Sequence, residues 1–203
     1  MDSANQGSRR MRAPARREHL LDVATELAVD EGFHAVSVES IARRAGITRA
    51  VIYQHFADLQ ALLEAAIARE TTRALAQVSE SALPRLESGD TAELMLASLT
   101  VYLAAVQDHP TTWRLVLLPP EGAPAKLRAA IASGRRAVLA QLTTSVSSAV
   151  GTGGSSEAEL TARILSAVAD EYARLVLTDP RRYPPARLVD HARRWLDQPT
   201  FGL

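Results

Sequence analysis

Cysteine is absent from the 203 residues, which excludes disulfides, thiolate metal sites and cysteine nucleophiles together. Lysine is almost absent: of 23 basic residues Lys126 is the one lysine, leaving 22 arginines. Net charge is absent as well, because 23 acids cancel the 23 bases, so any contact with a polyanion has to come from local placement. Aromatics make up only 4% of the chain, and eighteen uncharged apolar residues never run together. The first twelve residues, MDSANQGSRRMR, are polar and basic with no apolar stretch behind them. Neither a secretory leader nor a membrane span is expected, and the cytoplasm is the simplest location. What remains is plentiful: 47% hydrophobic residues, enough to bury one or two small cores.

Period-two alternation is missing too, whereas apolar residues recur at three- and four-residue spacing almost throughout, which predicts an all-α chain. Breaks fall at Gly32, Gly46, Pro84, Gly89 with Asp90, Pro110, Pro119 with Pro120, the GTGGSS run at 151–156, and Asp179-Pro180 before Pro184-Pro185. About nine helices result, three short ones followed by longer ones. The Gly/Ser run is expected to be a flexible loop.

Basic residues cluster in two islands within the first third. Residues 9–17, RRMRAPARR, hold Arg9, Arg10, Arg12, Arg16 and Arg17, and residues 40–57 hold Arg43, Arg44 and Arg49, neither with an acid. Acids from Glu18 to Glu39 lie between them. The first helix, residues 14 to about 31, turns Leu20, Val23, Ala24, Leu27 and Ala28 to one face, and Gly32 supplies a left-handed stop. Ser37 caps the second, with Glu39 near its positive end and Val38, Ile41, Ala42 and Ala45 inward. After Gly46 and Ile47, Thr48 caps a third helix through Phe56. Helix, tight glycine turn and helix is the helix-turn-helix spacing.

The third helix buries Ile52 and Phe56, so its other side presents Arg49 with Tyr53 and Ala50 with Gln54, each pair at i and i+4. Arginine donates bidentately to guanine, glutamine pairs with adenine, and Ala50 permits close approach, while Thr48 and the Tyr53 hydroxyl are placed to reach phosphates. Two readings of Tyr53 stand at this point, a DNA contact and an amphipathic core aromatic. His55 is equally divided between a packing histidine and a phosphate contact.

The run VSVESIARRAGITRAVIYQHFADLQALL resembles the N-terminal signature of the TetR/AcrR-type transcriptional regulators, over residues 15–67. The matching elements are Gly32-Phe33, Ser37-Val38, Ile41-Ala42, Ala45-Gly46-Ile47-Thr48, Tyr53, His55-Phe56 and Leu62-Leu63. The resemblance implies a three-helix DNA-binding head, here residues 13–57 after an arm of residues 1–12, with Arg43, Arg44, Thr48, Arg49, Ala50, Tyr53, Gln54 and His55 as DNA contacts. It also implies a C-terminal bundle, residues 58–203, that binds a small molecule and dimerises through the last two long helices on an inverted-repeat operator. One departure stands out. Family members commonly carry Lys near the start of helix four, where this chain has Leu59 after Asp58. The Arg island at 9–17 is the expected compensation, along the minor groove or on phosphates.

Beyond Asp58, helix four begins with Leu62, Leu63, Ala66 and Ile67 and is the expected transmitter. Helix five, about 91–108, and a short helix after Pro110 are apolar around much of their girth. Met95, Tyr102 and Trp113 suit a cavity for an apolar ligand or a filled core equally, and only the resemblance favours the cavity. On that basis the lining is expected from Met95, Leu99, Tyr102, Trp113, Leu117, Val138, Leu142, Val168 and Tyr172. Gly134 is expected to allow close packing on the long helix that follows.

Catalysis finds no support: GTGGSS lacks the ending of a phosphate loop, no HExxH or GxSxG occurs, and Asp170-Glu171-Tyr172 reads equally as a helix surface or a ligand anchor. No cofactor or metal is called for. The expectation is a TetR-like regulator, a repressor released by a small apolar or amphipathic effector, against two rivals: a ligand-independent or architectural DNA-binding protein, and an all-helical enzyme.

Overall fold

The computed structural model describes residues 12–81, 91–150 and 155–197; the expected arm at 1–12 falls almost wholly outside them, as does most of the Gly/Ser run. Among the described residues there are nine α-helices, one 3-10 turn and no strand. They are α1 Ala13–Glu31, the turn Phe33–Ala35, α2 Val38–Ala45, α3 Arg49–Tyr53, α4 Leu59–Ser81, α5 Thr91–Asp108, α6 Pro110–Leu117, α7 Ala125–Val150, α8 Ser155–Thr178 and α9 Pro185–Leu196. Helical periodicity and the proline and glycine breaks locate almost every boundary. The exception is α3, which stops at Tyr53 instead of running to Phe56: the His55 amide donates to Ile52 at i−3, and this tighter closure turns the chain out of the helix.

The chain divides into two compact units. One comprises the described residues up to Thr72 together with Arg114–Ile131; the other comprises those of Arg73–Trp113 and from Ala132 onward. The first is wider than the 13–57 head. In it Leu20, Leu21, Ala24, Leu27, Ile41, Ile52, Phe56 and Leu62 form one buried cluster drawn from α1 to α4. A smaller cluster joins Ile67 to Leu115 and Leu127, with Phe33 packed alongside. The Phe33 amide donates to the Glu121 carbonyl at 3.1 Å, and Lys126 Nζ meets Glu64 Oε2 at 2.6 Å. These ties explain why residues 114–131 belong with the first helices.

In the second unit α5 packs against α8 and α9. Leu103, Val106 and Trp113 are buried there, Tyr102 meets Trp113 edge-on with ring centroids 5.0 Å apart, and the indole Nε1 donates to Gln77 Oε1 at 2.8 Å. A Cβ on Gly134 would stand 3.3 Å from Leu75 Cδ2, so the close packing expected of that glycine is present.

Candidate nucleic-acid interface

Helix α3 is held by its surroundings, because five residues are far too few for a helix to persist alone. Ser37 accepts from the Ser40 amide at 3.0 Å, and Ser40 Oγ accepts from the Ser37 amide at 2.8 Å, closing a capping box around the start of α2 with serine where glutamate is usual. Ser40 Oγ also donates to the Ala35 carbonyl at 2.9 Å, so the preceding turn is tied to the same cap. At the far end Gly46 adopts φ 64° and ψ 35°, the left-handed conformation in which its amide reaches back to Ala42 and Arg43. Gly32 also has positive φ, 85°, the region that favours glycine, but its ψ of 160° departs from the left-handed helical stop expected; a Cβ there would stand 2.9 Å from the His34 imidazole.

Thr48 occupies the N-cap position of α3 without a side-chain capping bond, contrary to the expectation from its identity. Thr48 is exposed. Ile52 is 1% exposed and Phe56 5%, whereas Tyr53 is 55% exposed. That contrast between adjacent residues removes the core reading of Tyr53. Arg49, Ala50 and Gln54 are exposed with it, and Arg43 and Arg44 are exposed on α2; His55 is half-buried. Thus the four outward residues of α3 and its exit, Arg49, Ala50, Tyr53 and Gln54, form one open face whose reverse side is anchored in the first core.

Electrostatics add partners that spacing did not reveal. Arg49 Nη1 donates to Glu39 Oε1 at 2.8 Å, and this bond holds the Glu39 carboxyl below its ordinary range. Arg44 donates to Asp30 Oδ2 at 3.1 Å and Glu31 Oε1 at 3.3 Å. The only available signal was the run of acids between the two basic islands. Arg17 of the first island lies over the Phe56 ring, 4.9 Å from its centroid, and Arg16 is buried, so part of that island serves the head's own packing. Asp58 Oδ1 accepts from the Ala61 amide at 2.7 Å, the cap expected at the start of α4, and Leu59 beside it packs against the first core.

Of the residues expected to line a ligand cavity, Leu117 belongs to the first unit and the other eight to the second. Tyr102, Trp113, Leu117 and Tyr172 are buried, while Met95, Leu99, Val138, Leu142 and Val168 are half-buried. Asp170, half-buried, meets Arg135 at 3.3 Å and Arg174 at 3.9 Å; burial pushes its carboxyl up, and the two guanidiniums and the Tyr102 hydroxyl oppose that. Tyr172 Oη lies 2.7 Å from His191 Nδ1. Among the described residues no group of three metal-ligating side chains occurs, and no helix is long and apolar enough to cross a membrane.

This arrangement has counterparts. Residues 20–66 match the family described as bacterial regulatory proteins, tetR family. The HTH-type transcriptional activator FasR of Mycolicibacterium smegmatis is 28% identical over 112 residues, 55% of this chain; the match spans half the length of that relative. A TetR-like transcriptional regulator from Rhodococcus sp. RHA1 superposes with a TM-score of 0.70 at 22% identity, covering 92% of this chain and 98% of its own. A tetR-family regulator from Streptomyces coelicolor gives 0.65 at 26% identity, covering 90% and 79%. The matched segment runs from Leu20 in α1 through the open face of α3 to Ala66 in α4, so that the first third of the chain is similar to the DNA-binding segment of the tetR family of bacterial regulatory proteins, and the fold is shared with TetR-like regulators.

Proposed function

We propose that this regulator binds double-stranded DNA as a homodimer, with α3 in the major groove of each half of an inverted-repeat operator. The observation that carries the reading is the open Arg49, Ala50, Tyr53 and Gln54 face on a helix fixed from behind by Ile52 and Phe56. Residues 13–57 act as the reading head, Arg43, Arg44, Thr48 and His55 contact phosphates, and residues 1–12 follow the backbone as a basic arm. Pairing is supported by Leu160 and Ile164, one turn apart on α8 and 54% and 52% exposed, an apolar stripe that a second copy would cover; α8 and α9 supply the interface. Dimerisation multiplies the modest affinity of each half-site.

Selection from a randomised duplex pool, followed by footprinting, tests this reading. It predicts two related half-sites about one helical turn apart. Failure to enrich any sequence would refute it.

The protein acts in the cytoplasm as a repressor, without catalysis, and residues 58–203 take up a small apolar or amphipathic effector. Mixed shapes at Met95, Leu99, Tyr102 and Trp113 support that ligand class. Such a compound must bind the arrangement that releases DNA more tightly than the arrangement that holds it, since equal affinity shifts nothing. Helix α4 transmits the change. A reporter driven by the selected operator reads the sign: higher output on deleting the regulator gene supports repression, and lower output assigns the activator sense that the FasR relative carries in its name.

A further inference from the structure

Arg49 enters the proposed interface already held. Its Nη1 donates to Glu39 Oε1 at 2.8 Å, reaching from the start of α3 to the first turn of α2. Both side chains are well exposed, at 65% and 62%, so the pair contributes little to folding. An acid in the first turn of α2 also serves the helix dipole, but that service needs no contact with Arg49. Glu39 is ionised at neutral pH with or without the bond, which lowers its carboxyl further below the ordinary value. A carboxylate on a face meant for phosphates is unfavourable by itself, so its position calls for a compensating role.

We propose that Glu39 is a positioning residue for Arg49, holding its guanidinium so that a guanine edge is met with two parallel bonds; this rests on the DNA-reading role of α3. A guanidinium has five N–H donors, and Glu39 occupies one on Nη1. The donors left over include one on each terminal nitrogen, enough for the O6 and N7 acceptors of guanine while the carboxylate bond persists. A free Arg49 would lose rotamer freedom on reaching the base and would be equally ready to follow a phosphate. Held by Glu39, it has lost that freedom beforehand, and the carboxylate disfavours approach of a phosphate to the same spot. Glu39 therefore raises affinity for the matched sequence and lowers it for unmatched DNA.

The probes are the duplex enriched from the random pool by the wild type and a shuffled duplex of the same composition. Both are titrated against the full chain, Glu39→Ala, Arg49→Ala and the double variant, with folding checked by circular dichroism. Glu39→Ala is expected to weaken binding to the enriched duplex by roughly two- to tenfold, the worth of ordering one long side chain. Shuffled DNA is expected to bind as well as before or better, and base preference to flatten at the position that Arg49→Ala relaxes. In the Arg49→Ala background the loss on the enriched duplex should vanish. A rise in affinity for both duplexes, a fall in both, no change in either, or the same loss without Arg49 would overturn the proposal. If the wild type enriches no sequence, the DNA-reading role itself fails; if it enriches one and Glu39→Ala behaves as the wild type, only the role of Glu39 does.

Discussion

Ile52 and Tyr53 are neighbours with opposite burial, and exchanging either for alanine tests whether folding and the proposed recognition separate. Ile52 is 1% exposed in the cluster drawn from α1 to α4. Truncation to alanine removes three carbons, worth about 2.4 kcal/mol at about 0.8 kcal/mol each. The cavity left behind brings the loss to between about 2.5 and 5 kcal/mol, since surrounding helices collapse only in part. Tyr53, at 55% exposure, should change stability by less than about 0.5 kcal/mol when truncated. Urea denaturation followed by far-ultraviolet circular dichroism reads the first quantity, and fluorescence anisotropy with the enriched duplex reads DNA binding. Ile52→Ala should lower both, because a five-residue helix does not hold its shape once unanchored, whereas Tyr53→Ala should lower only the second. Equal destabilisation by the two, or an Ile52→Ala loss under about 1 kcal/mol, would show that the buried and open faces of α3 have been assigned the wrong way round.

Arg49→Ala should cost about 1–3 kcal/mol of operator affinity and relax one base position, while Tyr53→Phe should weaken all duplexes alike; competition titrations against single-base variants distinguish these outcomes. Placing Asp at both Leu160 and Ile164 should convert a dimer to monomers by sedimentation velocity without unfolding the chain, and an unchanged dimer would remove α8 from the interface. Burial raises Asp170, so the folded state binds the extra proton between its unfolded and folded values. Stability contributed there must fall as pH rises through that window and grow as pH drops toward 3.8. Wild type should accordingly gain on Asp170→Asn between pH 7 and pH 4 in parallel urea titrations; a gain with the opposite slope would show that Arg135 and Arg174 outweigh burial. Glu39, lowered by its Arg49 bond, should titrate below 4.5 by carbon-detected NMR and move upward in Arg49→Ala.

Local signals carried most of the fold because local chemistry fixed it. Proline near its start and Gly32 after its end bounded α1, and Ser37 and Gly46 bounded α2 at both termini. The Ile52 and Phe56 spacing identified the buried side of α3 and, by elimination, the open one. The end of α3 was less legible: a four-residue spacing fits both a continuing helix and the tighter turn that closes on Ile52. Longer-range chemistry left weaker traces. Nothing near Phe33 announces that its amide meets the carbonyl of Glu121, and nothing near Arg49 singles out Glu39 from the other acids of the first helices. Such contacts depend on how helices cross, which periodicity does not encode.

Lys126, exposed by about half and engaged with Glu64, carries the one ε-amino group of the chain. An acylating reagent therefore has a single side-chain amine to modify, and that modification cancels the charge facing Glu64. A dye or surface linker introduced on that side chain would sit in α7, far along the sequence from Arg49 of α3. With the more acidic α-amino group blocked beforehand, coupling through that amine labels one internal position without engineering a cysteine into a chain that has none.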